Sequence, residues 1–281
     1  MMQIRLLFFF LLSSSMLCGQ ESHALAFYAD VMVNAEVAAH RVEAMDRFQP
    51  LLKDMLLQAG SFDNELEELP FVFVRYPEDR SFRTITWQVD QGKGKYHYGG
   101  IWQQDDGSII ELNGKSGRRL HSSTGSANWA NWSGAIIYKI LQIEENYYLL
   151  CYKQLDQYTK IKTVEQVSRT DDGGVELGQD GAFGPEGNQS RVILKYSADA
   201  NCSIKYYPES KRIVYDHLSP MAGRIPGQGP SMAPDGSYEA YELQTDGTWK
   251  YIDKVYNQVN ETPPQGGIST SEKDLFGRKR N

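Results

Sequence analysis

The stretch Ala135-Ile136-Ile137-Tyr138-Lys139-Ile140-Leu141-Gln142-Ile143-Glu144-Glu145-Asn146-Tyr147-Tyr148-Leu149-Leu150-Cys151-Tyr152 holds two runs of aliphatic, β-branched and aromatic residues, parted only by Glu144-Glu145. Such runs suit a pleated surface. A connection this short forces antiparallel pairing, because parallel neighbours need a crossover of about a dozen residues or more. The same grammar lies on either side. Upstream stand Phe71–Val74, Phe82–Val89 and Tyr96–Trp102; downstream stand Thr159–Val167, Arg191–Tyr196, Ser203–Tyr207, Arg212–Leu218, Tyr238–Leu243 and Trp249–Val255. Asp-Gly pairs at 106–107, 172–173, 180–181, 235–236 and 246–247 accept the positive φ that tight turns demand. Residues 69–256 therefore read as an antiparallel β meander of about ten to twelve strands. Sandwich, barrel and propeller-like blades all stay open for its closure, although no strict repeat period marks a regular propeller.

The period is different before this meander. Leu25, Tyr28, Met32, Ala35, Ala39, Val42 and Met45 recur at steps of three and four, which is one face of a helix. Pro50 opens a second apolar cluster, Leu51, Leu52, Met55 and Leu56, and Gly60 can supply the left-handed residue that ends it. Residues 20–60 are thus expected to form two helices of unequal length packed on the sheets. The fold class is α+β, mainly β.

With 281 residues, 41% hydrophobic and 23% charged, the chain can bury a core without metals or many disulfides. Its net charge of −7 argues against a nucleic-acid binder. Ten acidic residues against Arg41, Arg47 and Lys53 place that charge in residues 20–69, where a solvated helix face accounts for it. Met1 to Arg5 are followed by the apolar run Leu6–Leu12 and then by Ser13-Ser14-Ser15, the pattern of a secretory signal peptide over residues 1–19 with cleavage after Gly19. Lipid anchoring at Cys18 is the alternative. No stretch approaches the roughly 18 apolar residues of a membrane helix, so an exported protein without a transmembrane segment is expected. Residues 257–281 are polar and read as a disordered tail.

Export leaves Cys151 and Cys202 in an oxidising compartment, as a disulfide candidate or as two buried thiols. Motifs for chemistry are scarce. There is no His-Glu-x-x-His, no Cys-x-x-Cys and no calcium-loop spacing, so neither metal nor other cofactor is expected. Gly114-Lys115-Ser116 has Ile109 where a phosphate-binding loop requires glycine, and there is no Gly-x-Ser-x-Gly elbow. On a regular strand His217 and Asp216 point to opposite faces, so His217 is expected to be half-buried and satisfied by backbone. His97, beside Lys95, is expected to be solvated.

Two irregular stretches carry more interest. Trp129 and Trp132 stand amid Asn128 and Asn131, a set that sugar binding uses for stacking and rim hydrogen bonds. Anchoring a long loop onto the sheet is the competing use of these tryptophans. Pro220 to Gly236 carries three further glycines (Gly223, Gly227, Gly229) and three further prolines (Pro226, Pro230, Pro234), and reads as a long, stiff loop.

Phe27-Tyr28-Ala29-Asp30-Val31-Met32-Val33-Asn34-Ala35, Arg83-Thr84-Ile85-Thr86-Trp87, Arg191–Asp199, Asp216-His217-Leu218, Gly229–Tyr238 and Trp249-Lys250-Tyr251 together resemble a family of exported proteins of Bacteroidota that has no assigned function. The likeness spans most of the mature chain. It implies residence in the cell envelope and supplies no catalytic residues. The expected role is a non-catalytic binding or assembly module whose partner is an envelope protein or a glycan. The alternative is an envelope hydrolase acting on a glycan through carboxylates that no motif identifies.

Overall fold

The computed structural model describes residues 23–67, 69–113, 127–128, 132–170, 174–178, 181–183 and 188–255. The expected signal peptide and polar tail lie outside them. Helix α1 (residues 23–34) and helix α2 (Ala38–Leu56) precede fourteen described strands in three antiparallel sheets. The first sheet has the order β1 (Phe73–Arg75), β2 (Phe82–Gly92), β3 (Lys95–Gln104), β4 (Ile109–Asn113). The middle sheet runs β5 (Ala127–Asn128), β9 (Val175–Leu177), β8 (Thr159–Arg169), β7 (Asn146–Gln154), β6 (Ile136–Ile143), with β10 (Arg191–Ser197) also on β8. The third sheet has the order β11 (Ile204–Tyr207), β12 (Arg212–Met221), β13 (Ser231–Leu243), β14 (Trp249–Ile252). The fold is mixed α+β, mainly β, and the sheets follow one another as a meander without closing into a barrel.

Three cores hold these layers together. Leu25, Ala29 and Met32 of α1 and Met45, Phe48 and Leu52 of α2 pack on Ile85, Trp87, Val89 and Ile101 of the first sheet. The other face of that sheet, with Phe82, Tyr98 and Trp102, meets Ile137, Leu149 and Cys151 of the middle sheet. Tyr148, Leu150, Val192 and Leu194 on the far face of the middle sheet meet Ile213, Tyr215, Tyr241 and Trp249 of the third. The layers therefore stack as helices, first sheet, middle sheet, third sheet. Because β2 is covered on both sides, Phe82 to Trp87 are buried without a break rather than in alternation.

The helix break lies elsewhere than Pro50, which falls inside α2. It lies at residues 35–37, where Arg41 gathers freed carbonyls: Nη1 donates to Ala35 O (2.7 Å) and Glu36 O (3.0 Å), and Nε to Asp90 O (2.6 Å) of β2. Pro50 removes one helical N–H. Burial of Phe48, Leu52 and Leu56 around it keeps the helix continuous. Gly60 takes the left-handed conformation (φ +78°) expected of it. In β3, Gly99 faces Trp87 across the register, and a Cβ there would stand 2.3 Å from the indole.

The sequence Pro220 to Gly236 is a shorter loop than expected, because strand reaches into both of its ends. Pro220 pairs with Met232 and Leu218 with Pro234, leaving only 222–230 as the connection of β12 and β13. His97 is half-buried rather than solvated, since it lies opposite Val89 on the face that carries the helices, and burial lowers its pKa.

One buried cation joins helices to sheet. Arg83, with 0% exposure, donates from Nε to Gln103 Oε1 (2.8 Å), from Nη2 to Ser61 O (2.8 Å), and from Nη1 to Tyr76 Oη (2.8 Å) and Asn64 O. Gln103 Nε2 in turn donates to Leu56 O at the end of α2 (2.9 Å). Truncation by Arg83→Ala strands these acceptors and is expected to cost about 3 kcal/mol in urea unfolding. Arg212→Ala, which removes a half-exposed pair with Glu242, should cost no more than about 1 kcal/mol. Equal losses in the two variants would contradict this ranking.

Candidate functional site: an aromatic cleft across the layers

Bulges and strand ends decide where side chains collect. In β6 the register with β7 slips between Ile137 and Lys139, so Ile136 and Ile137 both join the core between the first and middle sheets. Tyr138, at the slip, packs against the cores on both sides of the middle sheet. Arg75 of β1 pins its backbone, donating from Nε to Tyr138 O (2.7 Å). The Tyr138 hydroxyl is buried and has no hydrogen-bond partner.

Tyr138 lines a cleft of about 660 Å³. Val33 of α1, Phe71, and Phe73 of β1 give it apolar lining; Lys160 and Lys162 of β8, with Asn201 and Cys202, give it a polar group of residues held together by the lysines' bonds to the 200–202 backbone. Tyr152 of β7, Tyr196 of β10 and Gln88 of β2 complete the walls. Phe71 (47% exposed) and Val33 (39%) are among the few large apolar side chains left open to solvent. Phe71 also holds a positive φ (+61°), a conformation unfavourable for any residue but glycine. Lys162 Nζ donates to Cys202 O (2.5 Å) and sits 5.2 Å above the Tyr138 ring, and Lys160 Nζ reaches Ala200 O at 3.4 Å. Burial pushes the Lys162 ammonium down and the phenols of Tyr138, Tyr152 and Tyr196 up, so these phenols stay neutral donors. The arrangement can grip an apolar body and hydrogen-bond a polar head, and its described lining residues include no Asp, Glu or His.

The residues singled out from sequence fall mainly elsewhere. Trp132, 4% exposed, lies in the core between the first and middle sheets, where its ring is a packing element. Asn128 lies in β5, opposite Glu176 of β9. Trp129 and Asn131 lie outside the described residues. Cys151 and Cys202 are unbridged in this structure and buried. They belong to different cores, one on each side of the middle sheet, which keeps the disulfide candidate apart. Burial raises both thiols, that of Cys202 to about 12.

His217 is satisfied by carboxylates, not backbone. A bulge between Asp216 and Leu218 turns it toward β13, where Nδ1 meets Asp235 Oδ2 (2.7 Å) and Nε2 lies 3.7 Å from Glu239 Oε1. Hydrogen bonds from Ser219 and Ser237 hold the Asp235 carboxyl far below the usual carboxylate range. Ser219 Oγ donates to Asp235 (2.6 Å), so it is not aligned with His217 as a nucleophile would be. Asp216 instead accepts from Ser203 N (2.5 Å). Among the described residues no group of three or more His, Cys, Asp or Glu could hold a metal ion, and no helix is long and apolar enough to cross a membrane.

Comparison with protein-family models, with curated proteins and with solved structures finds no match for this chain. Its chemistry has to be read from the cleft and its surroundings.

The thiol assignment is open to direct measurement. Dithiothreitol should leave Tm unchanged, and iodoacetamide at pH 8 should label Cys151 and Cys202 only after denaturation. A native bridge closing this loop would contribute on the order of 4 kcal/mol, so a marked fall of Tm on reduction would contradict the assignment.

Proposed function

We propose that this chain is an exported, non-catalytic binding module of the bacterial cell envelope, which takes its ligand in the aromatic cleft. Export rests on the basic start and the Leu6–Leu12 apolar run. The envelope setting rests on the resemblance to exported proteins of Bacteroidota. The cleft carries the binding part of the reading. It is concave and aromatic-walled, it keeps Phe71 and Val33 open to solvent, and its size falls within the range of small-molecule sites.

The rival reading, a glycan hydrolase, requires a carboxyl group kept protonated near neutral pH to act as general acid. The most elaborated carboxylate cluster on the described surface is that around His217, and it does the reverse: its hydrogen bonds hold Asp235 ionised. The cleft, with no Asp or Glu among its described lining residues, supports binding rather than hydrolysis. A glycan segment or an envelope protein's side chain could each present an apolar face to Tyr152 and Phe73.

Thermal unfolding of residues 20–281 against peptidoglycan fragments, neutral and acidic glycans and small organic acids tests the proposal. A ligand at a hundred times its Kd raises stability by about 2.7 kcal/mol. A dose-dependent rise is expected with one chemical class, lost in Tyr152→Ala and unaffected by His217→Ala. A response lost in His217→Ala but kept in Tyr152→Ala would move the site to the β12–β13 hairpin, and turnover of any ligand would reinstate the hydrolase.

A further inference from the structure

The cleft lining has an apolar part, Val33, Phe71 and Phe73, and a polar part around Lys160 and Lys162 that offers donors of one kind. Lys160 and Lys162 each direct Nζ to a backbone carbonyl, of Ala200 and of Cys202, which uses one N–H of three. Among the described residues neither amine has a carboxylate within ion-pair distance, and no Asp or Glu is among those that line the cleft. Asp216, the acid that acts on Lys162 at longer range, already accepts from Ser203 N. Two positive charges in a partly desolvated wall, without a local counter-ion, are complementary to an anion.

The second observation is independent of charge. The Tyr138 hydroxyl, buried and unpartnered, lies on the same wall as Lys162, whose ammonium stands over its ring. A buried phenol that stays protonated and lacks an acceptor is a hydrogen bond waiting for one. Elsewhere in the lining Val33, Phe71 and Phe73 present apolar side chains. A ligand satisfying both parts carries an acceptor-rich, negatively charged head and an apolar body.

We propose that the cleft binds an organic carboxylate with an apolar tail, its head between Lys160, Lys162 and Tyr138 and its tail toward Phe71 and Phe73. This rests on the reading of the cleft as the ligand site and adds the charge and shape of the ligand. The tail can be acyl or aryl, and the two sources differ in shape: a flexible chain follows the wall from Lys162 to Val33, whereas a rigid biphenyl stacks on Phe73 or Tyr152.

Calorimetric titration of the mature chain with decanoate, 4-phenylbenzoate and the uncharged 4-phenylbenzamide separates these possibilities. Either or both carboxylates are expected to bind, and 4-phenylbenzoate about tenfold tighter than its amide if the aryl source is right. Lys160→Met and Lys162→Met should each remove most of the preference for charge, and raising salt should weaken only the carboxylates. Tyr138→Phe, which keeps the ring, should weaken the carboxylates several-fold without changing Tm downward. Decanoate binding without 4-phenylbenzoate binding assigns the acyl source. Equal binding of acid and amide, still abolished by Tyr152→Ala, would overturn the anion assignment and leave the cleft as the site. Absence of binding by both carboxylates in a protein that still responds to a neutral glycan would likewise overturn it, whereas absence of any ligand response would remove both readings.

Discussion

Everything in this fold follows from the middle sheet having no face turned to water. The first sheet covers one side of β7 and β8 and the third covers the other, so successive residues alternate between two cores: Leu149 and Cys151 into one, Tyr148 and Leu150 into the next. A strand in that position cannot leave polar groups to solvent, and each has to be answered within the stack. Glu165 of β8 takes a hydrogen bond from Thr163 (3.0 Å) and lies 3.6 Å from Arg191 of β10. Lys153 donates to Ser133 O, and burial lowers its pKa to about 8. Bonds of the same kind tie the layers to one another. Thr86 Oγ1 accepts from Ile137 N (3.1 Å), Tyr98 Oη from Gln154 N (2.7 Å), and Trp249 Nε1 donates to Tyr148 Oη (3.1 Å). Their geometry gives direction to hydrophobic contacts that have none, and so fixes how one sheet lies on the next.

The cleft is a consequence of this stacking. It opens where α1, β1 and β2 of the first sheet, β6, β7, β8 and β10 of the middle sheet and the connection from β10 to β11 come together, so one helix and two sheets contribute to one wall system. Among the described residues the Tyr138 hydroxyl is one of a few buried polar atoms that stay unanswered, with Thr84 Oγ1 and Trp87 Nε1 of β2, and it belongs to a residue that lines the cleft. Ordinary packing would have placed an acceptor there or replaced the tyrosine by phenylalanine. A site that leaves a donor open, beside two lysines without acids, has the chemistry of a vacancy for a ligand head.

Much of the scaffold was legible because its causes are local. Period-three-and-four spacing found the helices, aromatic and β-branched runs found the main strands, and Gly107 and Gly247 take the positive φ that their Asp-Gly turns require. Short strands such as β4 (Ile109–Asn113) escaped notice because five residues are too few to show an alternation. The break in the helices was misread because its cause is distant: Arg41 reaches Asp90, 49 residues away. Proline and glycine made all of 220–236 look like a loop, while the pairing of β12 with β13 runs past a bulge into both ends of it, Pro220 and Met221 on Met232 and Ser231. That bulge also gave His217 a partner 18 residues along the chain, Asp235. The cleft was invisible for the same reason, since its residues run from Val33 to Cys202 and no spacing relates them. Trp132 was conspicuous as a residue type, yet its burial puts it in the core.

The central claim is the place of binding, and amide chemical-shift mapping during titration with decanoate tests it most directly. Perturbations are expected to gather at Val33, Phe71–Phe73, Tyr138, Tyr152, Lys160–Lys162 and Tyr196–Cys202, leaving β12 and β13 beyond residue 216 unmoved. Shifts centred on His217 and Asp235, or scattered over the surface without saturation, would contradict it.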